Sequence, residues 1–429
     1  MIRKRGLLLG VALFALLLLP ACGASDDTPT PADPTATPTP TAQPGGSTPA
    51  PTPPPAEPTA TPTPAPSAFE IEWEALKAAA REEGKMTLVT GNTSSRSLVP
   101  IVRGAFGEQF GIDVTITGGS GSQHAPRIAA ERQAGRYEVD IVILGRSTVG
   151  PRLAEPGFMT PIDDQLFHPD VLDLSKWWGN RFWYREPEGV EPKYSLAFSV
   201  KASQNPIEPT YNTERVTEAD IADINSVWDF FDDKWKGQII ALSPLDTGAS
   251  GTIHVIYAHP EMGPEWLARF YDKEFGVTFV SDVRSIVDSI ALPGGHAFSI
   301  FDQGASSAIL ALKKEGLPVD AWSKNLKEGG VFRTTSSLAW IGMMDRAPNP
   351  NAAQLFLNWF LTQEGQTALQ TLYTTAPNPS LRLDVPPGET LPQERIEPGV
   401  AYEMASLDTS LPDLRAEAIE FAQRTFLER

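Results

Sequence analysis

The sequence predicts an α/β protein built from two units of alternating strands and helices. From residue 70 onward, short apolar stretches rich in β-branched residues alternate with amphipathic helical stretches. This pattern is typical of a parallel sheet that helices cover on both faces. The alternation stops at 177–212, where aromatic and extended segments prevail, and resumes near residue 227. Two units joined by extended chain are therefore expected.

The first unit begins with a predicted helix over 70–85, which carries Leu76 on an apolar stripe and ends at Gly84. Glycine suits the left-handed turn that commonly follows a helix. The strands predicted for this unit lie at 86–90, 112–117 and 139–144, and those of the second unit at 238–242, 277–280 and 297–302. Residues 378–429 match no part of this pattern, although 411–427 has helical spacing.

The N-terminus predicts export and lipid attachment. Basic residues at 3–5 precede an apolar run too short to span a membrane, which is typical of a signal peptide over residues 1–21. Cys22 is the only cysteine of the chain, and its setting resembles a bacterial lipobox. Pro20 departs from the small residue usual there, and an ordinary cleaved signal is the alternative. We expect an extracytoplasmic protein anchored by lipid to the cell membrane, at the cell surface or in the periplasm.

Residues 22–67 are predicted to form a disordered Thr/Pro-rich tether, because 28–67 hold fifteen of the 40 prolines. Proline favours extended polyproline II, so the tether has a reach of about 100 Å. The net charge of the whole chain is −18. Nucleic-acid binding requires a basic surface that neutralises phosphates, so no nucleic-acid partner is expected.

Four predicted strand-to-helix loops are rich in Gly, Ser and Thr. Such loops present free backbone N–H groups at the positive end of a helix, and in open α/β sheets they line the ligand crevice. The residues predicted to bind a solute there, with one arginine at a further loop, are Asn92, Thr93, Ser94, Ser95, Arg96, Ser120, Gly121, Ser122, Gln123, Arg146, Thr247, Ser250, Gly251, Thr252, Gln303 and Ser306. Ordinary helix capping is the alternative for any single loop.

Motifs for catalysis and for metal binding are missing from the sequence. Neither 118–122 nor 248–252 fits the G-x-S-x-G nucleophile pattern, and no Walker loop, dinucleotide fingerprint or H-E-x-x-H helix occurs. We therefore predict no catalytic residue, no metal ligand, no cofactor and no enzymatic activity. The spacing of paired carboxylates exists only in the fold, so an extracytoplasmic hydrolase stays as an alternative. A surface sensor or adhesion module on a Pro-rich stalk is the other.

Several short segments, taken in their order and spacing, resemble a known family. They are WEAL at 73–76, AFGEQFGI at 105–112, VDIV at 139–142, YNT at 211–213, KWKG at 234–237, APNPNAA at 347–353 and QEGQ at 363–366. Over residues 70–375 the chain is similar to bacterial extracellular solute-binding proteins of iron(III)-type ABC importers. No single segment is specific by itself.

This resemblance implies a type II periplasmic-binding-protein fold, with two α/β lobes, a hinge and an interlobe cleft. Lobe 1 would comprise 68–200 plus about 332–429, and lobe 2 would comprise 201–331. The hinge strands would lie near 196–200 and 333–338. A monomer would capture a small solute in the cleft and deliver it to permease transmembrane subunits that work with an ATPase.

The resemblance stops short of naming the solute. Family members that hold bare ferric ion use adjacent tyrosines after the strand that corresponds to 297–302, whereas this chain has no adjacent tyrosines. Hydroxyl, amide and backbone N–H groups suit an oxyanion or another polar solute better than ferric ion. Arg96 and Arg146 are suited to bidentate contacts with phosphate or carboxylate. We expect a small polar, anionic solute or a metal chelate.

Overall fold

The computed structural model describes residues 66–245, 249–301, 305–333, 339–374, 377–388, 390 and 394–429. The predicted signal peptide, Cys22 and the tether up to residue 65 lie outside the described residues, and so do Thr247 and Gln303 of the predicted site. None of the helices in the described ranges is both long enough and apolar enough to span a bilayer.

The described part of the chain alternates helices and strands. The helices are α1 (Ala68–Glu83), α2 (Asn92–Ser97), α3 (Gly121–Gln133), α4 (Arg146–Thr148), α5 (Pro169–Leu172), α6 (Glu218–Asp223), α7 (Ser250–Ala258), α8 (Gly263–Phe270), α9 (Val283–Ala291), α10 (Ala305–Lys314), α11 (Pro350–Leu361), α12 (Gln363–Leu372) and α13 (Arg415–Glu428). The strands are β1 (Lys85–Thr90), β2 (Asp113–Gly118), β3 (Ile141–Leu144), β4 (Trp183–Tyr184), β5 (Leu196–Ala197), β6 (Lys201–Ser203), β7 (Thr210–Asn212), β8 (Ile239–Leu242), β9 (Thr278–Val280), β10 (Phe298–Ile300), β11 (Val319–Ala321), β12 (Gly330–Arg333), β13 (Trp340–Met343) and β14 (Tyr402–Glu403). Two further segments, Pro100–Glu108 and Val149–Ala154, are π-helical.

Local sequence accounts for the start and the end of α1. Ser67 and Glu70 form a capping box, in which the Glu70 N–H donates to Ser67 Oγ at 3.2 Å and the Ser67 N–H donates to Glu70 Oε2 at 2.6 Å. Gly84 takes φ = +66° directly after the helix, a conformation that glycine adopts without the strain of a side chain. The predicted helix and its stop at Gly84 are confirmed.

Two main sheets carry the architecture of the described residues. In the first, the strands pair in the order β2-β1-β3-β13-β5-β4, and in the second in the order β11-β7-β10-β8-β9. β1, β2 and β3 are parallel, as are β8, β9 and β10. The mixed α/β class is therefore confirmed, with the parallel strands of each sheet side by side.

The sheets also contain antiparallel strands, which the expectation of a parallel sheet did not include. β13 runs antiparallel to β3 and to β5, and β7 runs antiparallel to β10 and to β11. Parallel neighbours in a sheet need a crossover connection, usually a helix. β13 instead belongs to the part of the chain that returns from the second sheet to the first. It joins the first sheet antiparallel to β3.

Buried apolar side chains form two separate clusters. The first draws on residues 76–202 and 332–407, and the second on residues 207–326 together with Ala418 and Ala422. We call the parts of the chain that form these clusters the first lobe and the second lobe. Aromatic side chains dominate both, with Trp359 fully enclosed in the first and Trp266 in the second.

The C-terminal helix differs from the expected division of the chain, which assigned everything after residue 332 to lobe 1. α13 packs on α7 and α8 of the second lobe, because Ala418 and Ala422 are completely buried there. Helical spacing in 411–427 correctly indicated a helix with one buried face. Such spacing does not identify the surface that covers the face.

A small third sheet joins the lobes. β6 pairs antiparallel with β12 where the chain passes between the clusters, and β14 pairs parallel with β12. These crossing strands lie close to the expected hinge segments, although 334–338 lie outside the described residues. Tyr402 of β14 stacks on Phe332 of β12 with ring centroids 4.3 Å apart. The C-terminal part of the chain is thus built into the connection between the lobes.

Candidate functional site

The loops of the first lobe meet at one edge of its sheet. β1, β2 and β3 are parallel neighbours, so their carboxyl ends and the loops that follow them are adjacent. We number the loops after β1, β2 and β3 as the first, second and third loop. A ring nitrogen of buried His124, just after the second loop, lies 3.1 Å from the carbonyl oxygen of Thr90, where the first loop begins. A Cβ added to Gly121 would overlap Thr148, so the second loop also contacts the third.

Most of the predicted solute-binding residues of the first lobe already have partners within the protein. The Ser120 N–H donates to Gln123 Oε1 at 2.9 Å, and the hydroxyls of Ser120 and Ser122 are 2.8 Å apart. Ser94 is buried and hydrogen-bonds the hydroxyl of Tyr373. The contacts at 120–123 are the helix-capping alternative, and the backbone N–H groups of Gly119 and Gln123 donate within the protein as well.

The remaining positions of these first-lobe loops vary in exposure. Ser95 and Gly121 are half-buried, while Arg96 is exposed. Asn92 and Thr93 belong to α2, and their side chains lie outside the described residues.

Arg146, at the start of α4, lies half-buried beneath the C-terminal segment. Its Nη1 donates to the carbonyl oxygen of Ala405 at 3.1 Å. Burial lowers the pKa of Arg146, and the nearby positive charge of Arg185 lowers it further. The Arg185 guanidinium covers Gly150 so closely that a Cβ there would come within 2.5 Å of its Nε. Among the described residues, neither arginine has a carboxylate within 4.0 Å, although the charges of Asp413 and Asp408 act on Arg146 from further away.

The second lobe repeats the arrangement with β8, β9 and β10. Gly251 is exposed and Thr252 is half-buried near the start of α7. Ser250 and Ser306 lie in α7 and α10, and their side chains lie outside the described residues. Phe301, which follows β10, is buried with φ = +61°, a costly conformation for a bulky residue. Such strain often accompanies functional loops.

His254 of α7 is the functional candidate that the sequence analysis missed. It is 1% exposed, and neither ring nitrogen has a hydrogen-bond partner in the part of the chain that the structure describes. Burial, followed by the positive charges of Arg415 and Arg146, lowers the pKa of His254 to about 4. The ring is therefore neutral near pH 7, with one nitrogen that can donate and one that can accept, and neither is bonded to a described residue. Sequence alone gave no signal, because buried histidines are usually partnered.

The C-terminal segment brings further charge to the same place. Asp413 and Arg415 act electrostatically on both Arg146 and His254, although they lie some 160 residues or more away in sequence. The Arg415 N–H donates to Asp413 Oδ1 at 3.2 Å. Residues from the first lobe, the second lobe and the C-terminal segment thus converge at one end of the candidate site.

A cavity of about 650 Å³ lies elsewhere, between the tryptophan-rich segment and the C-terminal segment. Trp178, Arg395 and Glu397 line it together with several prolines. None of the predicted solute-binding residues lines this cavity, so it is separate from the strand-to-helix loops.

The side chains that could bind a metal ion are scattered over the described residues. No group of three or more His, Cys, Asp and Glu side chains that could hold a metal ion is found among them. The two interlobe candidates, His254 and Arg146, are instead a neutral imidazole and a guanidinium.

This fold and these paired strand-to-helix loops define a type II periplasmic binding protein, the class in which two α/β lobes face one another. The chain belongs to the family of bacterial extracellular solute-binding proteins, whose model matches residues 91–367, more than half of the sequence. No curated protein matches the chain.

Solved structures of similar fold come from ABC transporters. The Trichodesmium protein IdiA (FutA), in complex with iron and citrate ligands, superposes with a TM-score of 0.55 at 16% identity, covering 80% of this chain and 99% of that one. An ABC transporter structure from Clostridium perfringens superposes with a TM-score of 0.55 at 15% identity, covering 80% of this chain and 99% of that one. The substrate-binding protein of an Agrobacterium tumefaciens ABC transporter gives 0.52 at 14% identity over 80% and 94%. At these identities the likeness concerns the fold.

The family settles the broad function. The chain is a solute-binding protein of ABC transporters, acts outside the cytoplasm, and serves the import of a small solute through an ABC permease. The family is one of transport substrate-binding proteins and not typically of enzymes.

Proposed function

We propose that this protein is a lipid-anchored monomeric receptor that captures a small anionic solute between its two lobes. The observation that carries the proposal is the cluster formed by Arg146, Arg185 and His254. An anion bound there would pair with the two guanidinium groups and accept a hydrogen bond from the protonated ring nitrogen of His254. Charge-assisted hydrogen bonds of this kind are the strongest that a binding site can offer.

The Gly/Ser-rich loops of both lobes would complete the proposed site. In the first lobe the loops 91–97 and 118–123 would face the solute, and in the second lobe Thr252 and the residues next to it would do so. Closure of the lobes on the solute would bury it, and docking of the closed form on the permease would permit release. The protein itself would catalyse no reaction.

A thermal-shift panel tests the solute class. The full chain is heated with phosphate, phosphonates, sulfate, organic acids, polyamines, thiamine and ferric chelates. Ferric citrate belongs in the panel because the Trichodesmium structure holds iron and citrate. A solute that binds only the folded state at 100 times its Kd should add about 2.7 kcal/mol of stability. Stabilisation by cations alone, or by nothing in the panel, would contradict the proposal.

Lipid attachment at Cys22 has its own test. Cells that express the chain are fed an alkyne-bearing palmitate analogue, and the protein is examined for incorporation. We expect labelled protein in the membrane fraction, and we expect Cys22→Ser to abolish both the label and the membrane location. Equal labelling of the Cys22→Ser variant would contradict a lipid anchor at this position.

A further inference from the structure

The C-terminal segment contacts both halves of the candidate site. On the first lobe, the carbonyl oxygen of Ala405 accepts the hydrogen bond from Arg146, and Thr409 Oγ1 donates to the carbonyl oxygen of Tyr184 at 3.4 Å. Ala405 and Leu407 are buried. The segment is therefore fixed to the first lobe as far as residue 409.

The same segment then crosses to the second lobe. Gln423 Nε2 donates to the carbonyl oxygen of Pro244 at 3.1 Å, in the loop that joins β8 to α7. The Tyr257 hydroxyl donates to Glu417 Oε1 at 2.7 Å, and the ring of Phe421 lies 5.6 Å from that of Tyr257. α13 thus supports the loop and the helix that carry the second-lobe half of the candidate site.

The C-terminal part of the chain also contacts the connection between the lobes. β14 pairs with β12, which is itself one of the two crossing strands. Lys201 of β6 pairs with Glu394 at 2.9 Å and with Glu208 at 3.3 Å, and Arg333 of β12 pairs with Glu208. The C-terminal part of the chain therefore supplies both a strand and a carboxylate to the place where the lobes would rotate.

We propose that residues 402–428 act as a strap that positions the two halves of the solute site. The distance between the lobes then depends on whether α13 is docked on the second lobe. The inference rests on the proposed function, because it concerns the same site. Opening of the cleft would have to stretch residues 408–414 or pull α13 from α7. Docked, the strap favours a narrow cleft, and released, it permits a wide one.

A matched pair of substitutions on α13 separates docking from charge. Ala422 is completely buried against the second lobe, whereas Ala416 is exposed on the same helix. Ala422→Asp places a carboxylate in an apolar contact and should release α13. Ala416→Asp makes the same chemical change in water. Ala422→Ser is the conservative variant and should keep α13 docked.

The distance between the lobes is measured without solute by pulsed electron spin resonance. Spin labels are attached at Gln133→Cys in the first lobe and Lys273→Cys in the second, both exposed positions, in a full chain that carries Cys22→Ser. We expect Ala422→Asp to give a longer mean distance and a broader distribution. We expect Ala416→Asp and Ala422→Ser to match the parent chain.

Amide hydrogen exchange of 415–428 reports whether α13 has been released. Released α13 with an unchanged distance distribution would overturn the strap. If Ala422→Asp leaves α13 protected, or the variant fails to fold, a chain that ends at residue 410 replaces it. A longer distance between the lobes in that chain would support the strap, and an unchanged distance would overturn it. Because no solute enters this measurement, failure of the strap is distinguishable from failure of the proposed solute class, which the thermal-shift panel tests.

Discussion

The two lobes use the same succession of strand, Gly/Ser-rich loop and helix, yet their loops differ in how polar groups are satisfied. In the first lobe, Ser120 bonds Gln123, Ser94 bonds Tyr373 and His124 contacts the Thr90 carbonyl. In the second lobe, His254 has no partner among the described residues, and a Cβ on Gly251 would meet none of their atoms within 4 Å. The first-lobe loops are thus held by hydrogen bonds within their own lobe, whereas His254 of the second lobe shows no such bond to the described residues.

The largest expected effect concerns the internal partners of the first lobe. Arg382 is completely buried, and it pairs with Asp170 at 3.1 Å and with Asp384 at 2.7 Å. Arg382→Ala would leave both carboxylates without this partner, so we expect the free energy of unfolding to fall by about 3 kcal/mol. Urea denaturation measures it, with Arg382→Lys as an intermediate control. A loss below about 0.5 kcal/mol would contradict a stabilising role for the buried ion pairs of Arg382.

Two glycines near the start of a helix, one in each lobe, offer a direct contrast. A Cβ at Gly121 would overlap Thr148 Oγ1, whereas a Cβ at Gly251 would meet no atom of the described residues within 4 Å. Overpacking typically costs 1–3 kcal/mol, so Gly121→Ala should lower stability by about 2 kcal/mol. Gly251→Ala should leave it within about 0.5 kcal/mol of the parent. Thermal unfolding of the two variants, measured side by side, checks this contrast. An equal loss of stability in both variants would contradict it.

The free energy of unfolding should depend on pH because His254 of the second lobe is held neutral. The unfolded chain takes up the His254 proton near pH 6.5, but the folded chain does so only near its lowered pKa of about 4. The contribution of neutral His254 is therefore complete above pH 6.5 and is lost as the pH falls toward 4. Between pH 7 and pH 5 this amounts to about 2 kcal/mol.

Histidine substitutions separate this contribution from the rest of the pH dependence. Burial lowers the pKa values of the other four histidines as well, so the whole chain should lose stability in the same direction. In urea unfolding at both pH values, His254→Gln should show a shallower dependence than the parent. An unchanged dependence in His254→Gln would show that His254 is not held neutral.

The smallest expected effect lies at the α13 contact. Tyr257→Phe removes the hydrogen bond to Glu417 at an exposed position, where such bonds contribute little. We expect a loss of about 0.5 kcal/mol in urea unfolding, at the lower end for a single hydrogen bond. A loss above about 2 kcal/mol would mean that this one bond, and not the apolar face of α13, holds the helix to the second lobe.

Much of the fold follows from local sequence. Apolar runs such as 139–144 predict buried parallel strands, and Gly84 correctly marks the end of α1. Partner choice over long sequence separations does not follow in this way. The antiparallel entry of β13 and the docking of α13 on the second lobe depend on which surfaces the folded chain brings together, and no local pattern records that.

The candidate site was predictable in its loops but not in its chemistry. Ser, Gly and Gln at 120–123 are equally typical of a solute loop and of a helix cap, and the structure shows them capping α3. His254 lies in an apolar stretch, where a sequence reader expects a partnered core residue. Its lack of a partner is a property of the packed molecule alone.

The central claim is that a solute is held by both lobes at once. Amide hydrogen exchange of the full chain tests it most directly, with and without the compound that gives the largest thermal shift in the panel. The account predicts protection on binding in three places together: the first-lobe loops at 118–123, the start of α7, and the segment 402–415. Protection confined to one lobe, or to the cavity beside Trp178, would contradict capture between the lobes.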